Sequence, residues 1–508
     1  MKYAVLSLAL GALTFWGQDI PGLRVGFGRS SSGVPSVNFR TADLNQDGAP
    51  DLVLAREVLF QEDGGFPAKA RTALPEIPEN AQLDVWNGDL FFRWPGKLAV
   101  FRWDGKAWQA QLDQPLEWPV DGIRASQLGF GGQPDRPPAS LERFVQDLDH
   151  DGVPELIAAS EEAVHVFGRS EGIYQQVAAW TVLPPLTLAA PAHQEIWPPD
   201  RRALAFPARQ MSCRLVFERD WLQVLTREET IEAPVQGDGP GVIYQTTSYR
   251  IEPGAGWALQ HDAARDLRSP SLPLFVHPCR LNADSAVDYA GGRWSASSAS
   301  ALPRPIYETW ATLDGGKTFE VRRAVVWPGF QPRSSFVDFD GDGDLDMVVE
   351  CTLGLDQGIR ETVMRFMTRN GFDHEIQVFR QAEGRFSKTP ELRKAVRLHL
   401  EQPPVRGGPE VQRYTAGELT DISGDFNGDG YRDLLVQTAP GKLSIFLATG
   451  FAYPERPDAG ITLEQPGYCA VADVNGDRRS DVVVRWTVTA GERPAERTRV
   501  YFAREALP

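Results

Sequence analysis

The sequence predicts an all-β repeat protein, on three observations. A nine-residue acidic frame recurs five times, each copy runs into a short β-branched apolar stretch, and Gly turns followed by an aromatic residue recur between the copies. The frames occupy residues 43–51, 147–155, 338–346, 425–433 and 473–481 and read D-x-[DN]-x-D-G-x-x-[DE], except that the last has Arg478 at its sixth position. Repetition of this kind marks an architecture of stacked supersecondary units. It also reconciles 508 residues with the size limit of a single hydrophobic core.

Carboxylates crowded at alternate positions of one turn raise each other's pKa, so a pattern that repeats the crowding implies a cation. Hard oxygen ligands in a flexible shell suit calcium. The candidate ligands are Asp43, Asn45, Asp47 and Asp51; Asp147, Asp149, Asp151 and Glu155; Asp338, Asp340, Asp342 and Asp346; Asp425, Asn427, Asp429 and Asp433; and Asp473, Asn475, Asp477 and Asp481. Gly at the sixth position permits the bend. The seventh backbone carbonyl is a further ligand, and the ninth acid closes the shell. The competing reading is that Asp and Asn hold turns by bonding their own backbone; it competes most at 473–481, where Arg478 replaces Gly. An EF-hand is excluded, because short β-branched runs such as Leu52-Val53-Leu54 and Val482-Val483-Val484 follow the frames and read as buried strands.

The acidic frame followed by a hydrophobic strand resembles the FG-GAP/VCBS repeat. The resemblance implies a calcium-decorated β-propeller, as in integrin alpha-subunit heads and many secreted bacterial proteins, with Asp-rich calcium loops between strands. Its expected form is eight four-stranded blades, or seven if the region near 200 is an insertion. Five blades carry the frames. A sixth lies over 83–110, with an Asn87-Gly88 hairpin in place of an acidic loop. A seventh uses segments near 199–206, 214–217 and 222–225. The eighth surrounds 280–288, where Arg280 and Ser285 replace the first Asp and the Gly. The last blade is one strand short, and residues 23–27 are expected to supply that strand and close the ring. Residues 235–268 and 354–373 read as insertions, and 402–409 as a loop.

The chain carries a formal charge of −16, largely in the frames, and no basic stripe, which argues against nucleic-acid binding. Residues 1–17 have a weak basic start and a short apolar run, so they read as a secretory signal peptide, leaving 18–508 as the propeller. No other run is long enough to span a bilayer; the expected location is secreted or periplasmic, without membrane insertion after cleavage. Cys213, Cys279, Cys351 and Cys469 are too widely spaced for a zinc site, and both two disulfides and four thiols are compatible with the sequence. Oligomeric state is open.

Hydrolase elbows, H-E-x-x-H, phosphate loops and dinucleotide fingerprints are absent from the sequence. The expected function is a binding scaffold for a protein or glycan ligand with no catalysis of its own. The alternative is a carbohydrate-active propeller enzyme, a glycoside hydrolase or polysaccharide lyase. Tryptophans are read mainly as packing between blades, with Trp257 and Trp294 the better candidates for exposure. Residues 312–319 resemble the Asp-box, a hairpin brace.

Overall fold

The computed structural model describes residues 13–19, 24–26, 36–38 and 40–505 with breaks, the longest at 118–143, 183–208, 354–371 and 399–419. Among the described residues there is no α-helix, and the chain forms a succession of small antiparallel sheets. This is an all-β arrangement consistent with a β-propeller.

Numbered along the chain, the first sheet holds Arg40–Ala42, Asp51–Val53, Glu57–Leu59 and Arg71–Ala73, and the second holds Gln82–Trp86, Asp89–Trp94, Lys97–Trp103 and Trp108–Pro115. The third holds Val145–Gln146, Glu155–Ala159, Val164–Ser170 and Ile173–Trp180. The fourth is five-stranded, with Arg209–Glu218, Trp221–Pro234, Pro240–Glu252 and Ala258–His261 in order and Leu267–Leu272 paired to the third of these. The fifth holds Val276–Cys279, Asp288–Ala296, Pro305–Thr312 and Glu320–Val325; the sixth holds Ser335–Val337, Asp346–Thr352, Phe372–Phe379 and Leu392–Leu398. The seventh holds Thr420–Gly424, Asp433–Ala439, Lys442–Phe446 and Ala459–Thr462. The eighth holds Tyr468–Ala472, Asp481–Val488 and Ala495–Glu505, and its outermost strand is Leu13–Asp19.

Each strand that leaves an acidic frame is buried on both faces, as its continuous apolar run requires. Leu52, Leu156, Met347, Leu434 and Val482 are fully buried. Apolar clusters then join neighbouring sheets. Val53 and Val58 of the first meet Leu90 and Phe92 of the second, and Phe91 and Val100 of the second meet Leu156 and Phe167 of the third. Val164 and Val166 of the third meet Leu222 and Val224 of the fourth. One cluster runs through the fifth, sixth and seventh sheets, and another joins the seventh to the eighth. Leu52, Leu59 and Phe66 of the first sheet pack on Val483, Val500 and Phe502 of the eighth, so the two ends of the chain share a core.

Three expectations are corrected. The closing strand is Leu13–Asp19, which pairs with Ala495–Glu505 over seven residues; Arg24–Gly26 pairs instead with Ser36–Asn38. Residues 13–17 fall inside the span read as a leader, which hid the strand that begins at Leu13. Much of residues 235–268, read as an insertion, is strand of the fourth sheet; the polar stretch Gln245-Thr246-Thr247-Ser248 inside Pro240–Glu252 breaks any continuous apolar run. Trp257 is packed against the core between the third and fourth sheets, and its carbonyl accepts the Trp180 indole N–H at 2.7 Å. The segments at 199–206 and 402–409, most of 354–373 and the Trp294 side chain lie outside the described residues. Cys351 is a free thiol, pushed up to about 12 by burial and the nearby Glu375, so two disulfides do not form. Asp314 braces its hairpin as an Asp-box residue does, accepting from the Thr312 hydroxyl at 2.6 Å and the Thr318 N–H at 2.9 Å.

Candidate metal centres

All five acidic loops share one backbone course. The fourth position is left-handed in each (Gln46 φ 61°, His150 61°, Gly341 74°, Gly428 75°, Gly476 71°), and so is the sixth (Gly48 89°, Gly152 86°, Gly343 92°, Gly430 92°, Arg478 70°). Glycine at the sixth position therefore serves backbone geometry, and Arg478 adopts the same conformation against its Cβ. The bend turns the first-position carboxylate onto the N–H of the sixth residue: Gly48 to Asp43 at 2.9 Å, Gly152 to Asp147 at 3.1 Å, Gly430 to Asp425 at 2.9 Å and Arg478 to Asp473 at 3.0 Å.

The loops then divide by their third residue. Asn45, Asn427 and Asn475 donate their amides to Asp47, Asp429 and Asp477 at 2.9, 2.9 and 3.1 Å, so these turns satisfy part of their own charge. Where the third residue is Asp this is impossible. Oxygens of Asp147, Asp149 and Asp151 lie within 4.8 Å of one another, and so do those of Asp338, Asp340 and Asp342. Asp147 Oδ1, Asp338 Oδ1 and Asp340 Oδ1 are buried without a hydrogen-bond partner. Burial first, then the neighbouring acids, pushes Asp149 and Asp340 above the usual carboxylate range. Orphaned, clustered carboxylate oxygens fit a hard divalent cation.

The ninth acid has a different position and duty. Asp51, Glu155, Asp346, Asp433 and Asp481 are buried beneath their loops. One oxygen of each accepts the N–H of the second loop residue: Leu44 at 2.8 Å, Leu148 at 2.8 Å, Phe339 at 3.1 Å, Phe426 at 2.7 Å and Val474 at 3.0 Å. In four loops the other oxygen accepts an N–H from within or just beyond the next strand: Gln61 at 3.0 Å, Gln381 at 2.6 Å, Ala448 at 2.8 Å and Ala503 at 3.0 Å. The acid expected to close a cation's shell is thus first a clamp between backbone segments. Asp288 keeps the clamp, accepting the Leu281 N–H at 2.8 Å, although Arg280 and Ser285 have replaced two residues of its frame. Burial pushes Asp51 up to about 6 and Glu155, Asp346 and Asp433 up to about 7; Asp481 is also raised well above its usual value by burial.

Sequence reasoning also missed how the loops join. The N–H of the eighth loop residue reaches back to the preceding loop: Leu345 to the Leu281 carbonyl at 2.6 Å, Arg432 to that of Phe339 at 2.9 Å and Ser480 to that of Asp425 at 2.6 Å. Pro50 at the same position packs on Gly476, so the last loop meets the first, and Gly88 lies against the Asp43 carbonyl. Only the recurrence of a variable eighth position hinted at this, since a backbone donor leaves no residue signature.

Residues 425–484, which span the last two acidic loops, match the FG-GAP-like repeat. This stretch of the chain is an FG-GAP-like repeat. A search of curated proteins finds no match. Among solved structures, Hsv2 of Kluyveromyces lactis is similar at 10 % identity over 82 % of this chain and 96 % of its own, with a TM-score of 0.21. At that TM-score the likeness does not define the fold, which rests on the sheets and their packing. Among the described residues no helix is long and apolar enough to cross a membrane.

Proposed function

We propose that the protein is an exported eight-bladed β-propeller, stabilised by calcium in its acidic loops, that serves as a binding scaffold for a protein or glycan partner. The observation that carries this reading is the stitching of the 338–346, 425–433 and 473–481 loops each to the loop before it, and the packing of the last loop on the first, which favours an ion there as a fastener between sheets over a reactant in one pocket. Asp147, Asp149 and Asp151, with Asp338, Asp340 and Asp342, are the ligand sets in which charge most needs an ion. Asp43, Asn45 and Asp47, Asp425, Asn427 and Asp429, and Asp473, Asn475 and Asp477 are the weaker sets. The ninth acids add negative charge from below each loop.

Extracellular modules bind calcium with dissociation constants near 0.1–1 mM. A site near 0.1 mM adds roughly 1.4 kcal/mol in 1 mM calcium, so the two acid-rich loops contribute about 3 kcal/mol. The leader is proposed to end ahead of Leu13, because removal after residue 17 takes five of seven residues from the closing strand. A glycan and protein binding screen, run with calcium and with chelator, tests the scaffold reading. Saturable binding that chelation abolishes is expected; turnover of a polysaccharide by the purified protein would instead establish the carbohydrate-active enzyme.

A further inference from the structure

Arg380 stands where three of the other loops have an apolar side chain. The residue before the clamp donor is Phe60, Leu447 and Phe502 at the first, fourth and fifth acidic loops, but Arg380 at the third. While the Gln381 N–H holds Asp346, the Arg380 guanidinium lies 2.6 Å from Asp340 Oδ2 and 3.5 Å from Asp342 Oδ2, with its plane carbon 5.3 Å from the centre of the Phe451 ring. The Asp340 side chain is only 7 % exposed, and its Oδ1 and Asp338 Oδ1 are buried without partners.

The geometry points to Arg380 as a built-in counter-cation of the 338–346 loop, which holds the ion-free loop together and weakens its affinity for calcium. This rests on the reading that the loop takes calcium. A guanidinium on Asp340 offsets one charge of a crowded cluster, which lowers repulsion when no ion is present. The same positive charge repels a divalent ion placed among Asp338, Asp340 and Asp342, at short range and in a partly desolvated site where Coulomb terms are strong. Stacking on Phe451 holds the guanidinium in place. Arg380 is therefore a residue that sets affinity, and the three other loops with a second clamp donor have none at this register.

The test uses the full-length, calcium-depleted protein, titrated with calcium chloride in a calorimeter and melted in chelator. Arg380→Met is expected to tighten one site roughly three- to tenfold and to lower the melting temperature in chelator. Asp340→Asn is expected to remove one site, and Arg380→Met with Asp340→Asn to show no tightened site. Arg380→Lys, which keeps the charge but loses the stacked guanidinium plane, is expected to tighten the site less than Arg380→Met does. Should Arg380→Met fold only when calcium is present, that rescue supports the counter-cation role. An unchanged or weaker site in Arg380→Met, in a protein that loses a site with Asp340→Asn, overturns the inference alone; so does an equal gain from Arg380→Lys. Wild-type protein that takes up no calcium overturns the reading beneath it as well.

Discussion

Gln18 clasps Phe66. Its carboxamide accepts the Phe66 N–H at 2.9 Å and donates to the Phe66 carbonyl, tying the outermost strand of the eighth sheet to the first sheet. Gln114 repeats the clasp on Tyr174, accepting its N–H at 2.8 Å and donating to its carbonyl, between the second and third sheets. Glu320 accepts the Phe386 N–H at 3.3 Å in the same sense. The aromatic after a Gly turn is thus buried by its ring and held by its backbone.

Because Gln18 closes the circle of sheets, Gln18→Ala is expected to cost about 1–3 kcal/mol, the price of stranding two backbone groups. Deleting residues 13–19 is expected to cost more, since it also bares the edge of Ala495–Glu505. Deleting 22–28 is expected to cost less than either end of that comparison suggests for a closing strand. Urea denaturation of the three variants ranks them; a larger loss for 22–28 than for 13–19 contradicts the closure described.

Asp433→Ala removes the acceptor for both Phe426 and Ala448 N–H groups, in a fully buried site. The expected loss is about 2–5 kcal/mol with or without calcium. Asp429→Ala, at an exposed position, is expected to matter little in chelator. Melting both variants in chelator separates clamp from ligand.

Acidification should stabilise the ion-free protein. The folded chain holds Asp51 at about 6 and Asp346 and Asp433 at about 7, against 3.8 for an ordinary Asp, so between those values it binds more protons than the unfolded chain. Stability from these groups is complete below about pH 4 and is lost as pH rises through about 7. Denaturation midpoints in chelator are expected to fall from pH 5 to pH 8, and Asp433→Asn is expected to flatten the slope. A midpoint that rises across this window contradicts the assignment.

Arg478 holds a left-handed conformation that its four counterparts fill with glycine. Arg478→Gly is expected to relieve about 1 kcal/mol of backbone strain, offset in part by the freer unfolded chain. A thermal shift in chelator checks the sign, and a destabilised variant contradicts it.

The strands that follow the frames were legible in the sequence because continuous apolar runs after a Gly bend have few other uses. The hairpin at Asn87-Gly88 was legible for the same kind of reason: both residues have positive φ, at 45° and 81°. Leu13–Asp19 was not, since it begins where the leader's apolar run ends and ends in the polar pair Gln18-Asp19. The first, third and fifth residues of the 147–155 and 338–346 loops lie with their oxygens within 4.8 Å of one another. The ninth acid could not be separated from them by residue type, because a carboxylate that binds backbone N–H groups and one that faces an ion are written with the same letter. Arg380 was hidden by distance, lying 40 residues from Asp340 in sequence yet 2.6 Å from it in space.

The most direct measurement is the melting temperature of the purified protein in 1 mM calcium and in excess chelator, repeated for Asp149→Asn with Asp340→Asn. Calcium is expected to raise the wild-type melt by several degrees, in line with about 3 kcal/mol from two sites, and the double variant to lose most of that rise. A wild-type melt that is the same in calcium and in chelator would contradict the reading of the acidic loops as calcium-loaded fasteners.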